Sequence, residues 1–352
     1  MFAVLALAVL YLAPPSAEVP YRSPQLAASA DLVALAYGSG GGIYVATSTN
    51  DGKDFSNPVK VAEVPILPLS RHRGPRVVIT KGTIVVTAVT GNTAATGPHA
   101  HGLPSDGDLF AWRSTDSGKT WSKPVRVNDV PAAAREGLHS LATDSKGRLF
   151  AAWLDLRREG TRLYGAWSED SGATWGANVQ LYESPDGTIC QCCHPSAAFT
   201  DSGALNVMWR NALKGARDMY LLRSAEGGQS FGKPEKLGES TWMLNACPMD
   251  GGGLTHADGR TMTVWRRELD IYMAEPGRPE VRLGEGKDVA VAASQDGIYA
   301  LWVKGAQLVL WVDGKTEVLS EKAAMPALAT LPAGGVLAAW EQDAGIALRK
   351  LP

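Results

Sequence analysis

Between Ile189 and Pro195 the chain reads Ile-Cys-Gln-Cys-Cys-His-Pro, which sets Cys190, Cys192, Cys193 and His194 within five positions. Thiolate and imidazole are the donors that Zn and Cu favour, and with Cys247 and either His194 or His139 completing the shell these residues form a candidate Cu or Zn site. The other reading is covalent. Four cysteines in an exported chain allow three full pairings, among them Cys190 or Cys192 to Cys247, and a strained vicinal Cys192–Cys193 bridge is a further variant. The spacing differs from the paired CxxC of zinc ribbons, so disulfide and metal both stay open.

A second set of reactive residues is spread more widely. It runs through Arg22, then Arg71, His72, Arg73 and Arg76, then His99 and His101, then Glu136 and His139, and on to Asp155, Arg210 and Arg266. Any one of these alone is as often a solvated or paired surface group as a functional one. Their meaning depends on what brings them together.

The positioning elements announce themselves as a repeat. The phrases Ser-Thr-Asp-Ser-Gly-Lys-Thr-Trp at 114–121 and Ser-Glu-Asp-Ser-Gly-Ala-Thr-Trp at 168–175 share one pattern, and looser copies occupy 48–55 and 224–231. Asp116 and Asp170 suit a tight turn because their carboxylates accept N–H groups within the loop, while Gly118 and Gly172 accept a positive φ. Trp121 and Trp175 are expected to plug the space between neighbouring repeats.

Upstream of the boxes and beyond the last of them, short apolar runs recur, many ending in tryptophan: Trp153, Trp209, Trp265, Trp302 and Trp340. Bounded by Gly or Asp, they read as buried strands. Each follows a shorter strand often opened by proline, as at Ser23, Gly74, His194, Cys247 and Met325, and the boxes are followed by a further strand. Four strands per unit predict an all-β fold, a β-propeller of four-stranded blades. The repeat gives seven blades; six follows if one unit merges with a neighbour. The last unit has three strands of its own, so an N-terminal segment is expected to close the ring.

Strands that alternate in direction sort the chain into two faces. The boxes fall on one, and nearly all the reactive residues above fall on the other, where a small molecule or glycan is expected to bind.

The box phrase resembles the Asp box, or BNR repeat, of sialidases and related β-propellers. Tyr21-Arg22-Ser23-Pro24 likewise resembles the Phe/Tyr-Arg-x-Pro motif that opens sialidase propellers. That resemblance implies an exo-glycosidase acting on a carboxylated sugar such as sialic acid, with Arg22 gripping the carboxylate in bidentate fashion. It further implies Arg210 and Arg266 (or Arg267) as partners of Arg22, Tyr272 backed by Glu136 as nucleophile pair, and Asp155 as acid/base. The cysteine cluster is foreign to it. Two other functions therefore stand beside the enzyme: a propeller holding a metal through Cys and His, and a carbohydrate- or protein-binding propeller.

Composition narrows the field. A net charge of −2 with mixed signs offers no field for nucleic acid and no polybasic membrane patch. Residues 2–13 are apolar and precede Pro-Pro-Ser-Ala, the pattern of a secretory signal without its basic start; a buried closing strand is the alternative. The stretch is too short for a comfortable membrane span. The chain is thus read as residues 1–17, a signal or closing segment, followed by a single propeller over 18–352, secreted or periplasmic.

Overall fold

The computed structural model describes residues 9–97, 100 and 102–351. Every regular element among them is a strand, and the strands form seven antiparallel four-stranded sheets. In chain order the blades span residues 22–63, 76–126, 139–182, 196–236, 253–285, 287–320 and 324–351, numbered one to seven below. The fourth strand of blade 7 comes from the other end of the chain: Leu10–Leu12 pairs with Gly345–Leu351, with Leu10 opposite Leu348 and Leu12 opposite Ile346.

Each gap between adjacent blades is filled by its own apolar cluster, and the recurring tryptophans explain how. Trp153, Trp209, Trp265, Trp302 and Trp340 close the second strands of blades 3 to 7, and each packs against the preceding blade. Trp153, Trp209 and Trp340 are wholly shielded from water. At about 25 cal/mol per Å² of apolar surface removed from water, these indoles are the largest single contributors to blade-to-blade adhesion.

The Asp boxes are local hydrogen-bond devices. Ser114 Oγ donates to Asp116 Oδ1 (2.7 Å) and receives the Gly118 N–H (2.9 Å), while Asp116 also accepts the Thr120 N–H (2.9 Å). The box at Ser168 repeats this, with Gly172 N to Ser168 Oγ at 2.8 Å. Gly118 and Gly172 do adopt φ of 87° and 82°. Trp121 and Trp175 lie between blades as expected, but half-buried rather than enclosed, because each rests on the rim of the cluster it covers.

One register differs from the sequence reading. The inner strand of blade 5 is Gly253–Ala257, not the run beginning at Cys247. The hairpin partner Arg260 pairs with Ala257, so the inner strand must end there, and residues 247–252 become an irregular lead-in with Met249 at φ 56° and Gly252 at φ 73°.

Candidate site at the propeller axis

All seven inner strands face one axial channel, with a cavity of about 270 Å³. Leu141, Leu254, Val291 and Leu328 make its walls apolar, and one end is polar, formed by His72, Arg76 and His194. That polar end is built by a loop that crosses the axis. Ser70, Arg71 and His72 leave blade 1 with φ of 65°, 50° and 64°, a left-handed run that costs about 1 kcal/mol or more per non-glycine residue. The strained turn is pinned by the Ser70 N–H on Ser23 Oγ (3.0 Å) and by Arg73 Nε on the Glu136 carbonyl (2.6 Å).

The loop thereby delivers His72 to the far side of the ring. Its Nε2 lies 2.9 Å from Asp288 Oδ1 of blade 6, and its ring stacks on His194 of blade 4 at 4.3 Å between centroids. Asp288 is aimed inward by its own positive φ of 58° at the start of the inner strand, and its N–H is held by Asp250 Oδ2 at 2.9 Å. Burial works against a charged His72, yet the bond and charge of Asp288, with Asp250 beyond, raise its pKa above the ordinary value. Asp288 feels the converse: burial opposes its ionisation, but His72 and Lys287 hold its carboxyl below the usual range. The hydrogen bond and the opposite charges favour the imidazolium–carboxylate form of the pair.

Its neighbours are neutral or half-silenced. Burial, reinforced by His72 and Arg76, pushes His194 well below the ordinary value, and burial with Arg76 does the same to His139. Neutral His194 donates Nε2–H to the Gly252 carbonyl (2.9 Å), leaving Nδ1 as an unpartnered buried acceptor. Desolvation lowers Arg76 to about 10, so it remains a cation in the cavity wall.

The six residues nominated for glycosidase chemistry do not assemble into one cluster. Arg22 bonds Glu341 (3.3 Å) and the Asp343 carbonyl (3.1 Å). Arg210, fully buried, donates to the carbonyls of Asp250, Arg217 and Arg266, which fastens the loops of blades 4 and 5 and leaves no fork for a ligand. Arg266 donates to the Glu268 carbonyl at 2.6 Å. Asp155 is occupied by the Trp153 indole (2.8 Å) and by Arg157 through Nε and Nη2 (2.8 and 2.9 Å). Tyr272 sits in the third strand of blade 5 under the Arg267 guanidinium, 3.9 Å from its ring centre. Glu136 is elsewhere, ahead of blade 3, paired with Arg73 at 3.7 Å; burial raises its pKa and Arg73 opposes the rise.

The cysteine set divides as well. Cys190, Cys192 and Cys193 are buried, with thiol sulfurs all within 4.8 Å of one another, whereas Cys247 is exposed and all four thiols are free. The expected Cys247 disulfide and its share in a metal site fail for the reason given above: without an inner strand starting at Cys247, nothing turns it inward. His139 bonds Thr87 Oγ1 (3.0 Å) and His194 faces Gly252, so neither joins the thiols. His99 and His101 lie outside the described residues.

Sequence reasoning missed Asp250, Asp288 and Met249 as site residues. Asp288 was legible in principle, since it is the second residue of an inner strand, as are Ser23 and Met325, whose φ values are also positive.

Residues 105–278 match the BNR repeat-like domain. No curated protein sequence matches the chain. Among solved structures, a protein of unknown function from Dyadobacter fermentans DSM 18053 aligns over 97% of this chain and 98% of its own, with a TM-score of 0.56 at 16% identity. The NanB sialidase of Streptococcus pneumoniae aligns over 97% and 70%, at 0.56 and 12%. A polysaccharide lyase acting as an ulvan lyase aligns over 97% and 95%, at 0.60 and 12%. Identities this low speak for the shared fold. With its Asp boxes, its seven closed blades and its match over 105–278, the chain is a β-propeller that carries a BNR repeat-like domain and resembles sialidases in fold.

Proposed function

We propose that the chain is an exported, carbohydrate-active propeller that takes one carboxylated sugar at the His72 end of the axial channel and hydrolyses its glycosidic bond, His72 protonating the leaving oxygen as the C–O bond breaks and a water adding to the anomeric carbon. The observation that carries this reading is the His72–Asp288 couple standing beside Arg76 in the cavity wall. A carboxylate orients and charges the imidazole, the arrangement of a general acid, and Arg76 supplies a cation for the sugar's carboxylate. The anchoring role passes from Arg22 to Arg76, because Arg76 lines the cavity and Arg22 is held by Glu341.

Cavity size adds to the reading. About 270 Å³ admits a single sugar ring rather than a chain, which favours action on a terminal residue. The sialidase and lyase among proteins of like fold support the substrate class by analogy only. Export is supported by the apolar run 2–13 ahead of Pro14-Pro15-Ser16-Ala17. A leader removed after Ala17 would carry off the outer strand of blade 7, so N-terminal sequencing of the mature protein decides between leader and strand.

The test is turnover of fluorogenic sialosides and of glycans ending in uronic acids, next to an active sialidase control. His72→Gln should lower kcat by about 10²-fold or more, and Arg76→Gln should raise KM. Absence of both turnover and ligand-induced thermal stabilisation across that panel would overturn the proposal.

A further inference from the structure

The proposed proton transfer makes no use of the thiol triad, although Cys193 directly precedes His194 in the chain. Cys190 Sγ stands 3.7 Å from Cys192 Sγ and 3.4 Å from Cys193 Sγ. The three side chains are 3%, 7% and 1% exposed, so the sulfurs form a dry, three-cornered face. The loop that carries them is fixed before any ligand arrives: the Ile189 N–H bonds the Thr161 carbonyl (2.9 Å) and the Cys190 N–H bonds the Arg210 carbonyl (3.1 Å). Among the described apolar side chains, Met249 packs against this face, brought from the lead-in of blade 5 by its left-handed backbone.

We infer that Cys190, Cys192 and Cys193, with the Met249 thioether over them, bind one cuprous ion, Cu(I). Geometry and donor chemistry both point there. Three coplanar thiolates around an ion at about 2.3 Å stand about 4 Å apart, against 3.7 Å for Cys190–Cys192 and 3.4 Å for Cys190–Cys193, so the sulfurs must spread by about half an ångström to seat the ion. Structural Zn demands four ligands from Cys, His, Asp or Glu, and among the described residues no fourth such atom joins the triad. The remaining neighbour is a thioether, which Zn shuns and soft Cu(I) accepts. Buried thiolates also need countercharge, and the guanidiniums of Arg73 and Arg210, 8% and 1% exposed, act electrostatically on these sulfurs. An ion held this way ties the lead-in of blade 4 to that of blade 5 beside the axis.

The experiment uses the full chain, reduced and stripped of metal, titrated without oxygen with Cu(I) against a chromophoric cuprous chelator. One ion per chain is expected, with a sulfur-to-copper charge-transfer band in the ultraviolet. Cys192→Ser should weaken binding by more than about 100-fold and Met249→Leu by about tenfold, while Cys247→Ser, at an exposed thiol outside the site, should bind as the parent does. Circular dichroism checks that each variant is folded, and Cys192→Ala replaces the serine variant if that one is not. Failure of the reduced parent to take up Cu(I), equal affinity for Zn(II) in the same competition, or loss of binding in Cys247→Ser would each overturn the inference. Copper uptake is read with no glycan substrate present, so its outcome is independent of that of the proposed enzyme.

Discussion

His72, on the loop between blades 1 and 2, and Asp288 of blade 6 are joined by a 2.9 Å hydrogen bond across the propeller axis, 216 residues apart in the chain. The bond does two things at once: it stations an imidazole in the cavity wall, and it ties opposite sides of the ring.

That pair gives stability a defined pH window. His72 has a raised folded pKa, so its contribution is complete below about 6.5, the unfolded value, and is lost as pH climbs through the folded one. Asp288 has a lowered folded pKa, so its share is complete above about 3.9 and is lost as pH falls through the folded value. Asp250, Arg76, Lys287 and Arg266 also act on the pair and shift both limbs without reversing either. Asp288→Asn should cost about 3 kcal/mol near pH 6, with the cost shrinking on the alkaline side. Urea unfolding across pH measures it, and a cost independent of pH would contradict the assignment.

Arg210 is a structural member, not a ligand clamp. Its three carbonyl acceptors belong to Asp250 and Arg217, on loops of blades 5 and 4, and to Arg266, near the end of the second strand of blade 5. Arg210→Met leaves those buried carbonyls short of donors and should destabilise the protein by about 3 kcal/mol. Arg22→Ala, at a pair whose arginine is one-third exposed and whose buried Glu341 keeps the Ser23 N–H, should cost less, about 1 kcal/mol. Thermal unfolding of the two variants compares them directly; equal losses would mean that Arg210 is not the fastener described.

The Asp-box tryptophans set the third expectation. Since Trp121 is half-buried, Trp121→Ala should cost about 1.5 to 3 kcal/mol, below the range for a fully enclosed indole. Ser114→Ala, which strands the buried Gly118 N–H, should cost about 1 to 2 kcal/mol. Chemical denaturation resolves both, and a negligible change at Ser114 would show that the box does not depend on its hydroxyl.

The contrast between what the sequence disclosed and what it hid has a physical origin. Blade number and box geometry were legible because Trp153, Trp209, Trp302 and their kin must recur wherever a blade interface recurs. Turn glycines such as Gly118 recur for a similarly local reason. The His72 site was not legible, because it depends on three successive left-handed residues carrying one loop across the axis, and no residue type encodes that path. Cys247 misled through local likeness: its proline-opened run imitates an inner strand, whereas the true strand, Gly253–Ala257, is poor in large apolar residues.

The seam of blade 7 has a further consequence. Because Leu10–Leu12 lies hydrogen-bonded along Gly345–Leu351, the first and last described strands share one sheet, and an engineered linker from Leu351 to Leu10 would make the propeller a circle. The circle could then be reopened at an exposed Asp-box turn, which would move the seam to another blade while every blade interface stayed in place. Where the chain starts and where the ring is held shut are therefore separable properties of this molecule.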